Sequence, residues 1–365
     1  MEGRMRGWAM GHTARRPCSG IGRSRVFLAL ALGALLLPAC GPKNSTPARK
    51  RIVLGVVTAD STDPASASFL AGVRAGALEM GRRFGTEVAL DVQAPEAPDA
   101  QKQALAVEQL VRSGAMGILL WPLGETVLAE AIDRAVEKGC LVLCAGDDAP
   151  QSRRFAFLGM DDFKAGGLLL QELAREMGNK GIVGVLAGPK EDPRLTRRLD
   201  GLRDALKRHP DLRLPDDDII HCSAAPEEAA KAADDALAKG VSIDGWALLG
   251  PWALRAKEPL QWRPAEAKAV GLDALPIDVP LLENGRLQVL FIQRHFERGS
   301  RAVEVLLRKI LLDESPEAAS TADLPEKVIR ETARDFRRTW DLHLGKPMEE
   351  SPPEKAESAE KKPAE

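Results

Sequence analysis

The sequence predicts an α/β protein built as two doubly wound, Rossmann-like lobes, and three observations carry that reading. Apolar, β-branched runs such as Arg51–Thr58 (RIVLGVVT) lack the polar alternation of a half-exposed strand, as strands buried on both faces of a parallel sheet do. These runs alternate with stretches of helical period, the pattern that gives parallel sheets with right-handed crossovers. The alternation reaches a joint at Val142–Gly167 and then restarts. The chain has 365 residues, enough for two domains at ~100–200 residues each.

Composition bounds the function. Apolar residues make up 44%, normal for a chain with sizeable cores. The net charge of −2 provides no global basic field, so nucleic acid is not an expected partner. Tyrosine is absent and aromatics total 4%, which is low for a protein expected to stack rings on rings.

Residues 1–40 read as an export signal. Arg4, Arg6, Arg15, Arg16, Arg23 and Arg25 form a basic region, and Val26–Leu37 is an apolar run too short for an ordinary spanning helix. The run ends in Leu37-Pro38-Ala39-Cys40-Gly41, which resembles a bacterial lipobox with Cys40 as the lipidated residue. A plain secretory signal cut near Ala39 is the alternative; both put the mature chain outside the cytoplasm. Residues 41–50 form a polar linker. Cys140 and Cys144 would sit about 13 Å apart on one strand at ~3.3 Å per residue, too far to bridge, so free buried thiols are expected. No cysteine or histidine spacing suggests a metal, and no cofactor is expected.

In the first half, strands are expected at Arg51–Thr58, Glu87–Val92, Met116–Trp121 and Leu141–Ala145, with helices at Ala67–Phe84, Gln101–Ser113 and Thr126–Lys138. Gly114 and Gly139 sit where helix C-caps belong. A short strand, Phe155–Leu158, follows the acidic turn Gly146–Ser152. In the second half, helices are expected at Phe163–Met177, Leu195–Arg208, Pro226–Lys239 and Phe296–Leu312. Strands are expected at Ile182–Ala187, Ile219–Cys222, Asp244–Leu249, Lys268–Leu272, Leu287–Phe291 and Lys327–Ile329. Residues 341–365 are expected to be a tail without a fold, Pro/Glu/Lys-rich from Glu349.

Ligands of open α/β sheets bind beyond the carboxyl ends of the strands. The residues found there are rich in Asp, Gln, Arg and Ser and poor in nucleophile–base pairs. They suit hydrogen bonding to hydroxyls, amines or carboxylates better than catalysis. No P-loop, GxSxG or HExxH motif occurs.

The order and wording of several segments resemble the periplasmic sugar-binding proteins of the ribose-binding type. These segments are RIVLGVVTADSTDP, FLAGVRAGALEMG, AVEQLVRSGAMGILLWP, AVEKGCLVL, DAPQSRRFAFLGMDD, RRLDGLRDAL and AVGLDALP, the last before Ile292-Gln293. The resemblance covers roughly Arg51–Ile329 and implies a periplasmic binding protein type I fold with a three-segment hinge. The crossings would fall near Ala145–Asp161, in or just after Asp273–Leu290, and near Asp323–Val328. The N-terminal lobe would be 51–160 completed by about 294–322, and the C-terminal lobe 161–293 completed by about 323–340.

The resemblance also implies site residues. Asp273 matches the ligand-binding acid of the family and Gln293 its late glutamine. Asp63 and Ser66 sit after the first strand, Asp147 after the fourth, and Arg198 in the helix whose start supplies a ligand-binding Arg or Asn. Trp252 is the aromatic placed to stack a ring. Ala65-Ser66 stand where ribose binders carry stacking aromatics, and Gly146-Asp147 replaces an Asp-Arg pair, so the pocket is rebuilt relative to ribose binders. The structural alternative for Asp273 is turn capping, and for Asp147, Asp148, Asp161 and Asp162 helix capping, with Asp162 the expected cap. Trp121, His221 and His295 are expected to be structural, and Pro189–Arg194 (PKEDPR) is a weak anion-loop signal.

The implied function is an extracytoplasmic solute receptor of an ABC importer, monomeric and not an enzyme. It would be anchored to the membrane through Cys40 and would present its closed form to a permease. The alternatives are a sensory receptor for a membrane signalling protein and a degenerate receptor that has lost its small molecule.

Overall fold

A computed structural model describes residues 51–346, apart from 241 and 258–266. The signal segment with Cys40, the linker and the tail from 347 fall outside the described residues. The first half runs β1 (Arg51–Val57), α1 (Pro64–Phe84), β2 (Glu87–Gln93), α2 (Ala100–Arg112), β3 (Gly117–Leu120), α3 (Glu125–Glu137), β4 (Leu141–Gly146) and β5 (Ala156–Met160). The second runs α4 (Asp162–Glu176), β6 (Gly181–Gly188), α5 (Pro193–Leu206), β7 (Leu212–Arg213), β8 (Ile219–His221), α6 (Pro226–Ala238), β9 (Gly245–Leu248), β10 (Lys268–Gly271), α7 (Val279–Glu283) and β11 (Val289–Ile292). The chain then continues through α8 (His295–Leu312), β12 (Ser320–Asp323), β13 (Glu326–Val328) and α9 (Ala333–His343).

Two sheets result, ordered β12-β5-β4-β3-β1-β2 and β13-β11-β10-β9-β6-β7, with β8 also pairing β6. All pairings are parallel except β13 on β11. Among the described residues, the chain passes between the sheets three times, at Met160–Asp162, Ile292–His295 and Asp323–Glu326. The architecture is therefore two α/β lobes joined by three crossing segments. Each sheet is buried on both faces, as the continuous apolar runs require. Ile52, Leu54 and Val56 face the α1/α8 side of the first sheet, while Val57, Ile118 and Leu120 face α2 and α3.

The helices α1, α2, α4 and α5 start at aspartate side-chain caps. Asp63 caps α1 by accepting from the Ser66 amide at 2.8 Å, with Pro64 at the first helical position. Both lobes then use small residues to seat one helix against another. A Cβ at Gly72 of α1 would lie 1.9 Å from the Phe296 carbonyl oxygen at the start of α8. A Cβ at Gly201 of α5 would lie 1.8 Å from the Phe163 carbonyl oxygen of α4. These backbones touch, so only glycine fits at either position.

The structure departs from the sequence reading at several places. The cap of α4 is Asp161, accepting from Lys164 N at 3.1 Å, and Asp162 is the first helical residue. β7, α7, β12 and α9 were not anticipated: β7 is two residues long, and the strand Ser320–Asp323 is polar with no apolar run. Residues 341–343, expected in the tail, complete α9. Its apolar residues Ala333, Phe336 and Trp340 recur at helical spacing but are diluted by charged neighbours. Cys140 and Cys144 are free and buried, and burial pushes their thiols up to about 11 and about 12.

Candidate functional site

The carboxyl ends of both sheets face a cavity of about 690 Å³. The N-terminal lobe lines it with Pro122–Gly124 after β3, with Gly146, Asp147, Asp148 and Pro150 after β4, and with Phe157 and Ala322. The C-terminal lobe contributes Asp162, the start of α5 (Asp192–Arg194) and Arg197. Asp192 caps α5 by accepting from Arg194 N at 2.9 Å, which aims the Arg194 side chain at the cavity. Its guanidinium donates to Asp192 Oδ2 at 2.6 Å and, across the cleft, to Asp147 Oδ1 at 2.5 Å. Arg194 is thus held by one carboxylate from each lobe.

Asp147 is set by its neighbours. Gly146 has φ +96°, and a Cβ there would lie 2.5 Å from the Trp121 indole. The glycine lets the turn close over Trp121, whose Nε1 donates to Asp147 Oδ2 at 3.4 Å. The Trp121 ring fills the space that a side chain at position 146 would need. Asp148, also in the lining, forms a two-pronged ion pair with Arg154 of its own lobe.

Behind the cavity lies a chain of buried polar groups. Arg198, 2% exposed, donates to Asp162 Oδ1 at 2.8 Å, to the Leu249 carbonyl at 2.6 Å and to Asp273 Oδ2 at 2.5 Å. Gln293 Nε2 donates to Asp273 Oδ1 at 2.6 Å, and Gln293 Oε1 accepts from Arg298 at 2.9 Å. Burial pushes the Asp273 carboxyl up, but the Arg198 guanidinium and the Gln293 amide outweigh it and hold the group below its ordinary value. For Asp162, burial wins over Arg198 and the carboxyl lies above its ordinary value. Asp273 adopts φ +59°, a left-handed conformation that Asp tolerates better than most residues, and this turns its carboxylate into the network.

The residues singled out by sequence therefore divide. Asp147 lines the cavity; Arg198, Asp273 and Gln293 come together, but as a self-satisfied cluster outside that lining. Asp63 is the α1 cap, and Ser66 is buried with no partner for its hydroxyl. Trp252 packs into the C-terminal core against Gly188 and Gly250, where an added Cβ would meet its ring at 2.4 Å, and it does not line the cavity. Arg194 enters the sequence reading only as the end of the weak anion-loop signal Pro189–Arg194. The helix was expected to start at Leu195, which left Arg194 in a loop whose charges cancel; the Asp-Pro cap-and-start signal was the clue. Trp121 and His295 stack at 5.3 Å. His295 is buried, and its burial, with Arg298 nearby, pushes its pKa down to about 3. Among the described residues, no cluster of three or more His, Cys, Asp or Glu is placed to hold a metal ion.

Residues 59–312 match the family described as the periplasmic binding protein domain. A curated relative is the D-ribose/D-allose-binding protein of Pseudomonas aeruginosa, 24% identical over 229 residues, covering 60% of this chain and 70% of that one. A solute-binding protein of an ABC transporter from Agrobacterium vitis, solved with α-D-tagatopyranose, superposes with TM-score 0.67 at 16% identity over 79% of this chain and 98% of its own. The XylFII–LytSN complex matches at TM-score 0.61 and 20% identity, over 78% of this chain and 99% of that one. At these identities the solved structures establish the fold. The family match spans well over half of the sequence, and the chain belongs to the periplasmic binding protein family, whose members are extracytoplasmic binding proteins.

Proposed function

We propose that this periplasmic binding protein is the solute receptor of an ABC importer and takes a sugar or polyol into the inter-lobe cleft. The observation that carries the reading is the Arg194–Asp147 pair spanning a cavity large enough for a monosaccharide. A hydroxyl both accepts and donates, so a diol inserted between the two groups can accept from Arg194 and donate to Asp147. It would satisfy both charges at once, and each lobe would gain a contact only when the cleft closes on solute. Differential affinity of this kind is all that closure requires. The sugar named in the relative's description and the sugar bound in the Agrobacterium neighbour support the ligand class.

In this reading the mature chain starts at Cys40, is held at the membrane by lipid on that residue, and works as a monomer that presents its closed form to a permease. A second reading, in which the closed form engages a partner protein other than a permease, draws on the likeness to the XylFII–LytSN complex. A thermal-shift screen of residues 41–365 against pentoses, hexoses and polyols tests the proposal. Solute at a hundred times its Kd should stabilise the fold by ~2.7 kcal/mol, or several degrees in Tm at ~2–4 °C per kcal/mol. A folded protein that none of them shifts would sink it.

A further inference from the structure

Helix α9 lies beyond residue 312, where the family match ends. Its first half is fixed to the C-terminal lobe. Ala333 is 1% exposed and packs with Phe336 into that core, and Arg337 sits 3.7 Å from Glu283 of α7. Its second half touches the other lobe. The His343 ring lies face to face on Phe296, with centroids 3.8 Å apart and planes 8° from parallel. Trp340 meets His295 edge to face at 6.4 Å. His295 and Phe296 open α8, whose backbone is seated against Gly72 of α1, so they move with the N-terminal lobe.

One helix is thus attached to both lobes beside the chain crossings. Between it and the crossings is a cavity of about 270 Å³, lined by Gln293, His295 and Glu326–Val328 from two of the three connections. Gln293 also belongs to the hydrogen-bonded chain that runs through Asp273 and Arg198 to Asp162, which lines the cleft. The α9 contacts coexist here with the Arg194–Asp147 pair, which requires the lobes to be close.

We propose that α9 is a strap that holds the two lobes together when no solute is bound. Rotation about the crossings would part the His343–Phe296 and Trp340–His295 contacts, because their two sides ride on different lobes. An element that makes both sets of contacts in only one arrangement shifts the population toward that arrangement. The strap keeps the binding-competent form populated in advance of the solute, so affinity does not bear the full cost of closure. The inference rests on the lobe motion invoked above but not on the identity of the solute.

Small-angle scattering of ligand-free residues 41–365 tests it. The proteins compared are the wild type, His343→Ala, Trp340→Ala and a chain ending at residue 332, with Arg338→Ala, an exposed change on the same helix, as control. The strap variants should show a larger radius of gyration and the control should not. If the competent fraction falls to about a tenth, D-allose binding should weaken about tenfold. His343→Ala removes a half-buried ring at the helix end, so it reports even if the truncated chain fails to fold. Scattering of His343→Ala and Trp340→Ala identical to wild type would overturn the proposal. Because scattering is read without ligand, a failure of D-allose to bind bears on the proposed function alone.

Discussion

His295 makes the fold sensitive to mild acid, and the size of the effect follows from its surroundings. The imidazole is buried, with Trp121 stacked on it and Trp340 edge-on to it; burial and the Arg298 charge push its pKa down, and the Asp273 carboxylate acts in the opposite direction. Its pKa falls from an ordinary 6.5 to about 3. A depressed folded pKa means that the unfolded chain takes up a proton the folded chain refuses. Stability is therefore unaffected by this group above about pH 6.5 and declines as pH falls toward about 3, at ~1.4 kcal/mol per unit. At about pH 5 the loss amounts to ~2 kcal/mol. His295→Phe keeps a ring in the stack and cannot titrate. Urea unfolding of both proteins at about pH 7.5 and about pH 5 isolates the term, since every other titrating group is common to the pair. The wild type should lose ~2 kcal/mol more than the variant between the two conditions. Parallel losses in the two proteins would refute the reasoning.

Gly201→Ala places a Cβ 1.8 Å from the Phe163 carbonyl oxygen, which forces α4 and α5 apart. It should cost at least ~1–3 kcal/mol in urea unfolding, and an unchanged midpoint would contradict the close approach. Asp273→Ala leaves the buried Arg198 with one carboxylate in place of two and should cost ~3–5 kcal/mol. Asp147→Asn removes a charge facing a half-exposed Arg194 and should change stability by no more than ~1 kcal/mol. The two variants thus separate a structural carboxylate from a cleft carboxylate, and equal destabilisation by both would erase that distinction.

The fold was legible because its strands are long, apolar and regularly spaced by helices, down to the restart after Gly167. What escaped lacked that signature. Ser320–Asp323 joins the first sheet through backbone pairing with β5 and carries polar side chains, so no hydrophobic pattern betrays it. Helix α9 gains its place from three apolar residues and two ring contacts that only the tertiary structure brings together. The site was half legible. Strand ends pointed to Asp147, Asp273 and Gln293, and the family resemblance to Arg198 within a helix, but sequence position could not tell a carboxylate facing a cavity from one consumed by a buried arginine. Trp252 follows a strand as expected, yet glycines at 188 and 250 draw its ring inward. Arg194 depended on a helix boundary two residues earlier than the apolar period indicated.

The central claim is that solute binds between the lobes, against Arg194 and Asp147. Titration calorimetry with the strongest sugar or polyol from the screen, on wild type, Arg194→Ala and Asp147→Ala, tests it most directly. Loss of charge-assisted hydrogen bonds in a closed cleft, at ~1.5–3 kcal/mol each, predicts affinity reduced by ~10–100-fold or more in both variants. Affinity unchanged in both would place the solute elsewhere and contradict the account.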